Sequence, residues 1–158
     1  MNRLVRQSIC GLTLAVLMSF AQAADISIAD ARRVMDAARA AAADLQAPGA
    51  AITIVDSGGN IVMVERLDNT FPAAAMISIG KARTAALFRR STALLEETVN
   101  GARPAMMMVP ETNYTPIQGG IPLQVDGRVI GAIGVSGARN AQQDEQIAVA
   151  AAAVLQKK

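Results

Sequence analysis

The sequence predicts an α+β domain: a mainly antiparallel sheet with helices packed on it. Three observations predict this. The stretches 50–67 and 119–137 each hold two apolar, β-branched runs joined by a tight-turn signature. Apolar residues at helical spacing precede, separate and follow these hairpins. Strands supplied by hairpins, rather than by strand–helix–strand crossovers, run antiparallel.

Residues 1–23 stand apart from the domain. Arg3 and Arg6 form a positive start, Ile9 to Phe20 an apolar core, and Ala21-Gln22-Ala23 a small-x-small cleavage signal. That pattern is an export leader, leaving a single domain over 24–158. The apolar run is short for a bilayer span, and Cys10 is not at a lipoprotein cleavage position. The expected product is periplasmic or secreted, with no stable membrane anchor after cleavage.

In the domain, Ser27 with Asp30 reads as a helix N-cap close to a capping box. Ile28, Ala31, Met35, Ala38, Ala42 and Leu45 then step by three and four, so a helix runs to about Leu45, where Pro48-Gly49 ends it. Residues 50–56 and 60–67 form a hairpin over Ser57-Gly58-Gly59, with Asp56 fixing the turn through its side chain. A second helix is expected from near Pro72, proline suiting a first turn, to about Phe88. Ser91 or Thr92 caps a short helix through Val99. Three prolines make residues 100–118 irregular. Asp126-Gly127 then turns the second hairpin, and Asn140 caps a last helix with Asp144 and Glu145 near its start and Lys157 and Lys158 at its end, matching its dipole.

Glycines crowd the second hairpin, recurring at 131, 134 and 137. Their order is neither the Gly-x-Gly-x-x-Gly of dinucleotide sites nor a Gly-Lys-Ser/Thr phosphate loop. Glycine within a strand marks a bulge or a close approach to the backbone. A helix or a neighbouring subunit packed on this hairpin is the expectation; a small anion at Ser136-Gly137 is the lesser alternative.

Composition excludes several functions. The chain has no histidine, which removes imidazole-bound metals, serine–histidine triads and the commonest general base. Ser136 therefore reads as a loop residue and not a nucleophile. Its only cysteine is in the leader, so the mature chain has no disulfide. The 15 basic residues exceed the 13 acidic ones only through Arg3 and Arg6. Without a basic, aromatic-laced surface, nucleic acid is not an expected partner. An apolar fraction of 52% exceeds the needs of one small core, which points to a homo-oligomer.

The residues that can carry chemistry are few. Ile77, Lys81, Thr84 and Phe88 share one face of the second helix by spacing. They either line a pocket or form a helix edge along which Lys81 reaches water. Arg66, Arg83, Arg89 and Arg90 can pair with a ligand carboxylate or with Glu65, Asp68, Glu96 and Glu97. Met106, Met107 and Met108 suit Cu(I) as thioethers, or fill space under a loop; on an extended segment at most two converge. Tyr114, the single tyrosine, either ligates iron or packs.

Three motifs in order, "VDSGGNIVMVERLD" (55–68), "SIGKARTAALFRRST" (78–92) and "GGIPLQVDGRVIGAIGVSGARNAQQDEQIAVAAAAVL" (119–155), closely resemble the GlcG/HbpS family of haem-binding, or haem-degrading-domain, proteins. "KARTAALFRR" is closer to the GlcG branch, which is associated with glycolate operons. The resemblance implies a profilin-like fold, haem as the cofactor, association into homo-oligomers, and Thr84 as the residue at the haem iron, with Lys81 beside it. Histidines used by some relatives are absent here.

Three functions follow as expectations. The first is an exported haem-binding protein acting in haem sequestration or supply, with Ile77, Lys81, Thr84 and Phe88 as its haem-binding face. The second is an enzyme or accessory protein for a small carboxylate such as a 2-hydroxy acid, held by Lys81 and an arginine. The third is a non-catalytic oligomeric scaffold.

Overall fold

The computed structural model describes residues 25–108 and 114–156. Residues 1–24, where the leader is expected, and Lys157 and Lys158, expected to complement the dipole of the last helix, lie outside the described residues.

Ser27 caps α1 (Ile28–Asp44), accepting the Asp30 N–H at 3.0 Å and donating its hydroxyl to Asp30 Oδ2 at 2.8 Å. Ala31, Val34, Met35, Ala38 and Ala42 are buried along it. The buried stripe is shorter than the spacing suggests, because Ile28 and Leu45 lie at its two ends and are exposed. β1 (Ala51–Asp56) and β2 (Ile61–Arg66) follow. Asp56 closes their turn as expected, its Oδ1 accepting the N–H groups of Gly58 at 2.9 Å and Asn60 at 2.8 Å.

α2 (Ala74–Phe88) begins two residues after Pro72 and has no side-chain N-cap. Arg89 ends it in the left-handed region, with φ 51°. Ser91 caps α3 (Thr92–Asn100). The irregular stretch that follows contains a 3₁₀ turn, Pro104–Met108. The methionines are therefore helically coiled and not extended, a correction that lets Met106 and Met107 face the same space.

β3 (Gly120–Val125) and β4 (Arg128–Ser136) meet over Asp126 and Gly127, whose φ values of 50° and 75° are the left-handed pair that a two-residue hairpin turn requires. Ser136 is the buried last residue of β4, paired with Ala51, and not a loop residue. Asn140 caps α4 (Ala141–Ala152) by accepting the Gln143 N–H at 2.9 Å. Among the described residues no helix is long and apolar enough to cross a membrane.

The four strands form one antiparallel sheet in the order β2-β1-β4-β3. Alternation along the central strands divides the core into two layers. Ile52, Ile54, Ile133 and Val135 pack against α1 and α4 with Leu123. Val55 and Ala132 face α2, meeting Ala82, Ala85 and Ala86. Thr53 also faces α2 and shares a 2.7 Å hydrogen bond with Ser78.

The glycines explain how closely α2 lies on the sheet. A Cβ at Gly134 would run into the Ser78 carbonyl oxygen and stand 2.5 Å from Ala82 N. One at Gly120 would stand 2.5 Å from the Lys81 carbonyl oxygen. At Gly120 and Gly134 the partner of the glycine-rich hairpin is thus a helix of the same chain, whereas a Cβ at Gly131 would meet Val55 O and the Ile26 side chain.

Candidate functional site

The central helix distributes its four predicted residues in different directions. Lys81 is 2% exposed. Its Nζ donates to Val135 O and to Asp144 Oδ2, both at 2.9 Å. This corrects the expectation that Lys81 either reaches water or holds a ligand: burial requires a paired charge, and Asp144 supplies it. Ile77 is half-buried and does not line the cavity that Thr84 and Phe88 border.

That cavity holds about 270 Å³. Thr84 and Phe88 of α2 form one wall, and Leu95 and Val99, a helical i, i+4 pair on α3, form the next. Met106 and Met107 of the 3₁₀ turn, with Tyr114 and Pro116, complete the described lining. The Phe88 and Tyr114 rings meet edge to face, with centroids 5.2 Å apart and planes at 78°, a favoured aromatic geometry. No lysine or arginine is among these lining residues.

Thr84 is 1% exposed, and its hydroxyl is largely committed. It donates to Gly80 O at 2.7 Å and accepts the Thr115 N–H at 2.6 Å. A hydroxyl has one proton and two lone pairs, so one lone pair remains for anything else. Tyr114 is half-buried, and its phenol has no hydrogen-bond partner among the described residues.

Several other candidates are also engaged, while Arg89 and Arg90 are exposed just beyond α2. Arg66 donates to Thr70 O at 2.7 Å and Arg83 to Gly59 O at 3.0 Å. Glu65 pairs with Arg39 and not with a neighbour from its own strand. Glu96 accepts the Gln118 N–H at 2.7 Å. At the start of α4, Asp144 Oδ1 takes the Ala138 N–H at 2.9 Å and Gln143 the Arg139 N–H at 2.9 Å. The protein's own side chains thus fill the place considered for an anion near Ser136-Gly137. No cluster of three or more acidic or cysteine side chains able to hold a metal occurs among the described residues.

Sequence reasoning missed Asp144 as the partner of Lys81, since nothing local joins residues 63 positions apart. It also missed Leu95 and Val99, although their i, i+4 spacing was a usable signal.

Helices packed on a four-stranded antiparallel sheet, with an apolar, aromatic-walled cavity beside the central helix, define a profilin-like α+β class. The chain belongs to the HbpS-like family: the model described as "Haem degrading protein HbpS-like" matches residues 26–153. Protein GlcG of Escherichia coli K12 is 50% identical over 85 residues, which cover 54% of this chain and 62% of GlcG. A crystal structure of a double mutant of HbpS from Streptomyces reticuli superposes with a TM-score of 0.77 at 27% identity, over 98% of this chain and 99% of that one. The crystal structure of a PduOC:heme complex gives a TM-score of 0.70 at 27% identity, over 82% and 94% of the two chains.

The cavity residues fit a haem group in kind. Flat apolar contact comes from Phe88, Leu95 and Val99, and donors from the Tyr114 phenol and the Met106 and Met107 thioethers. The volume is below the ~300–1,000 Å³ of pockets that enclose a drug-sized ligand. A haem group placed here would therefore have only part of its macrocycle inside the cavity.

Proposed function

We propose that this protein is an exported haem binder acting in haem sequestration or supply, with haem docking at the cavity between α2, α3 and Tyr114. The observation that carries the reading is the apolar wall of Phe88, Leu95 and Val99 facing oxygen and thioether donors in a chain without imidazole. Membership of the HbpS-like family and likeness to a haem complex support it. When bound, haem supplies redox and ligand-exchange chemistry at its iron. The chain's part is to bury a macrocycle face, offer a donor and hold water away.

Haemin titration of the purified protein, followed by absorbance, tests this. A Soret shift with a one-to-one endpoint is expected. A thermal-shift screen of 2-hydroxy acids runs beside it. Stabilisation by a carboxylate with no Soret change would replace haem by a small carboxylate as the ligand. The structure gives such a ligand little to grip, because Lys81 is engaged and no described lining residue is cationic.

We also propose that the protein works as a homo-oligomer. Phe71, Met76, Ile61 and Val64 are exposed apolar side chains, Met76 by 71%, and assembly would cover such surface. Light scattering at micromolar concentration is expected to give more than one chain's mass; a strict monomer would remove the idea.

A further inference from the structure

We propose that Tyr114, and not Thr84, is the oxygen ligand of this site, and that Thr84 is a positioning residue that sets Tyr114 in place. The inference rests on the haem reading above.

The hydroxyl of Thr84 is spent on structure. Its proton goes to Gly80 O in the preceding turn of α2, and a lone pair takes the Thr115 N–H at 2.6 Å. That second bond is the link between α2 and the residue immediately after Tyr114. It fixes the backbone on one side of the tyrosine, while Phe88, one helical turn beyond Thr84, fixes the ring from its edge. Two neighbouring residues of one helix thus hold the tyrosine by backbone and by ring. The phenol itself is left with no hydrogen-bond partner among the described residues, on the wall of the cavity.

Phenolate oxygen is an established donor to haem iron, and an alcohol already bonded twice is a poor one. Tyr114 would hold a haem iron as the phenolate, its proton lost to solvent as for other ligands that deprotonate on metal binding, with no change of oxidation state required. Thr84 then acts as outer-shell partners do, orienting a ligand it does not replace.

The sequence provides a specific probe. Tyr114 is the single tyrosine and there is no tryptophan, so intrinsic fluorescence reports on Tyr114 alone. Haemin titrations of the full domain compare the parent with Tyr114→Phe, Thr84→Val, Thr84→Ala and Thr84→Ser. Tyr114→Phe is expected to lose the parent's visible spectrum. Thr84→Val and Thr84→Ala are expected to weaken haemin binding by about 10–100-fold, and Thr84→Ser, which still accepts the Thr115 N–H, to restore the parent's behaviour. Without haemin, acrylamide should quench Tyr114 more readily in the Val and Ala variants than in the parent or the Ser variant.

A parent-like spectrum and affinity in Tyr114→Phe would overturn the ligand assignment. Unchanged acrylamide quenching in the Val and Ala variants would overturn the positioning role. A parent that gives no Soret shift at all would instead sink the haem reading, and this assignment with it.

Discussion

Lys81 Nζ on α2 and Asp144 Oδ2 on α4 lie 2.9 Å apart, although the two helices pack on opposite faces of the sheet. The contact is made past the end of the strands, beside Gly119. With φ 120°, Gly119 leaves space where a Cβ would stand 3.0 Å from Lys81 Nζ and 2.9 Å from Asp144 Cβ. Val135 O takes a second ammonium proton, and Asp144 Oδ1 takes the Ala138 N–H. One ion pair therefore ties two helices, the central strand β4 and the loop after it.

Removing either partner leaves a buried charge alone, a loss of about 3–5 kcal/mol. Lys81→Met and Asp144→Asn are both expected to lower stability in urea denaturation, the lysine change by about that amount. A Lys81→Met/Asp144→Asn double variant should lose less than the two single changes summed, since no charge is left unpaired. A cost below 1 kcal/mol for Lys81→Met would show that the pair is not what joins the layers.

Gly134 makes a separate prediction about packing. A methyl there meets the backbone of α2 at Ser78 and Ala82, which cannot rotate away as a flexible side chain can. Gly134→Ala is expected to cost about 1–3 kcal/mol by overpacking, read as a lowered melting temperature. An unchanged melting temperature would mean that α2 can lift from the sheet without loss.

Most of the fold was legible because its signals are local. Ser27, Asp56, Asp126-Gly127 and Asn140 each act within four residues, and each does in the structure what its type suggests. Helical spacing also placed Thr84 and Phe88 on one wall. It could not place Lys81, because a side chain's destination depends on what the fold brings from elsewhere, here a carboxylate on the far side of the sheet. The methionines were misjudged for a related reason: proline density reads as irregular chain, and a single 3₁₀ turn leaves no periodic pattern. The rest of the cavity comes from three separate segments, none of which announces a ligand alone.

Export is a prediction about the chain in its host. Arg3, Arg6, the apolar run and Ala21-Gln22-Ala23 imply processing after Ala23. Intact-mass measurement of protein from the native cell is expected to show a chain beginning at Ala24. A full-length product in the cytoplasm would contradict export and, with it, a role in haem capture outside the cytoplasm.

Phe88 offers the most direct test of where a macrocycle docks. It is 36% exposed, so its ring is only partly needed by the core and stands where a ligand can cover the remainder. Truncation to alanine removes a flat apolar wall and the edge contact to Tyr114, while leaving the Thr84 bond to Thr115 intact. Covering part of an aromatic ring is worth about 1–2 kcal/mol, so Phe88→Ala should weaken haemin binding by about 5–30-fold. Because the Tyr114 phenol and the Thr84 bond that fixes its backbone remain, the bound spectrum should keep the parent's ligand type, unlike that of Tyr114→Phe. Val149 serves as the control: it is an exposed apolar residue on α4 and not part of the described cavity lining. If Val149→Ala weakens haemin as much as Phe88→Ala does, binding is diffuse apolar adsorption and the cavity is not its seat.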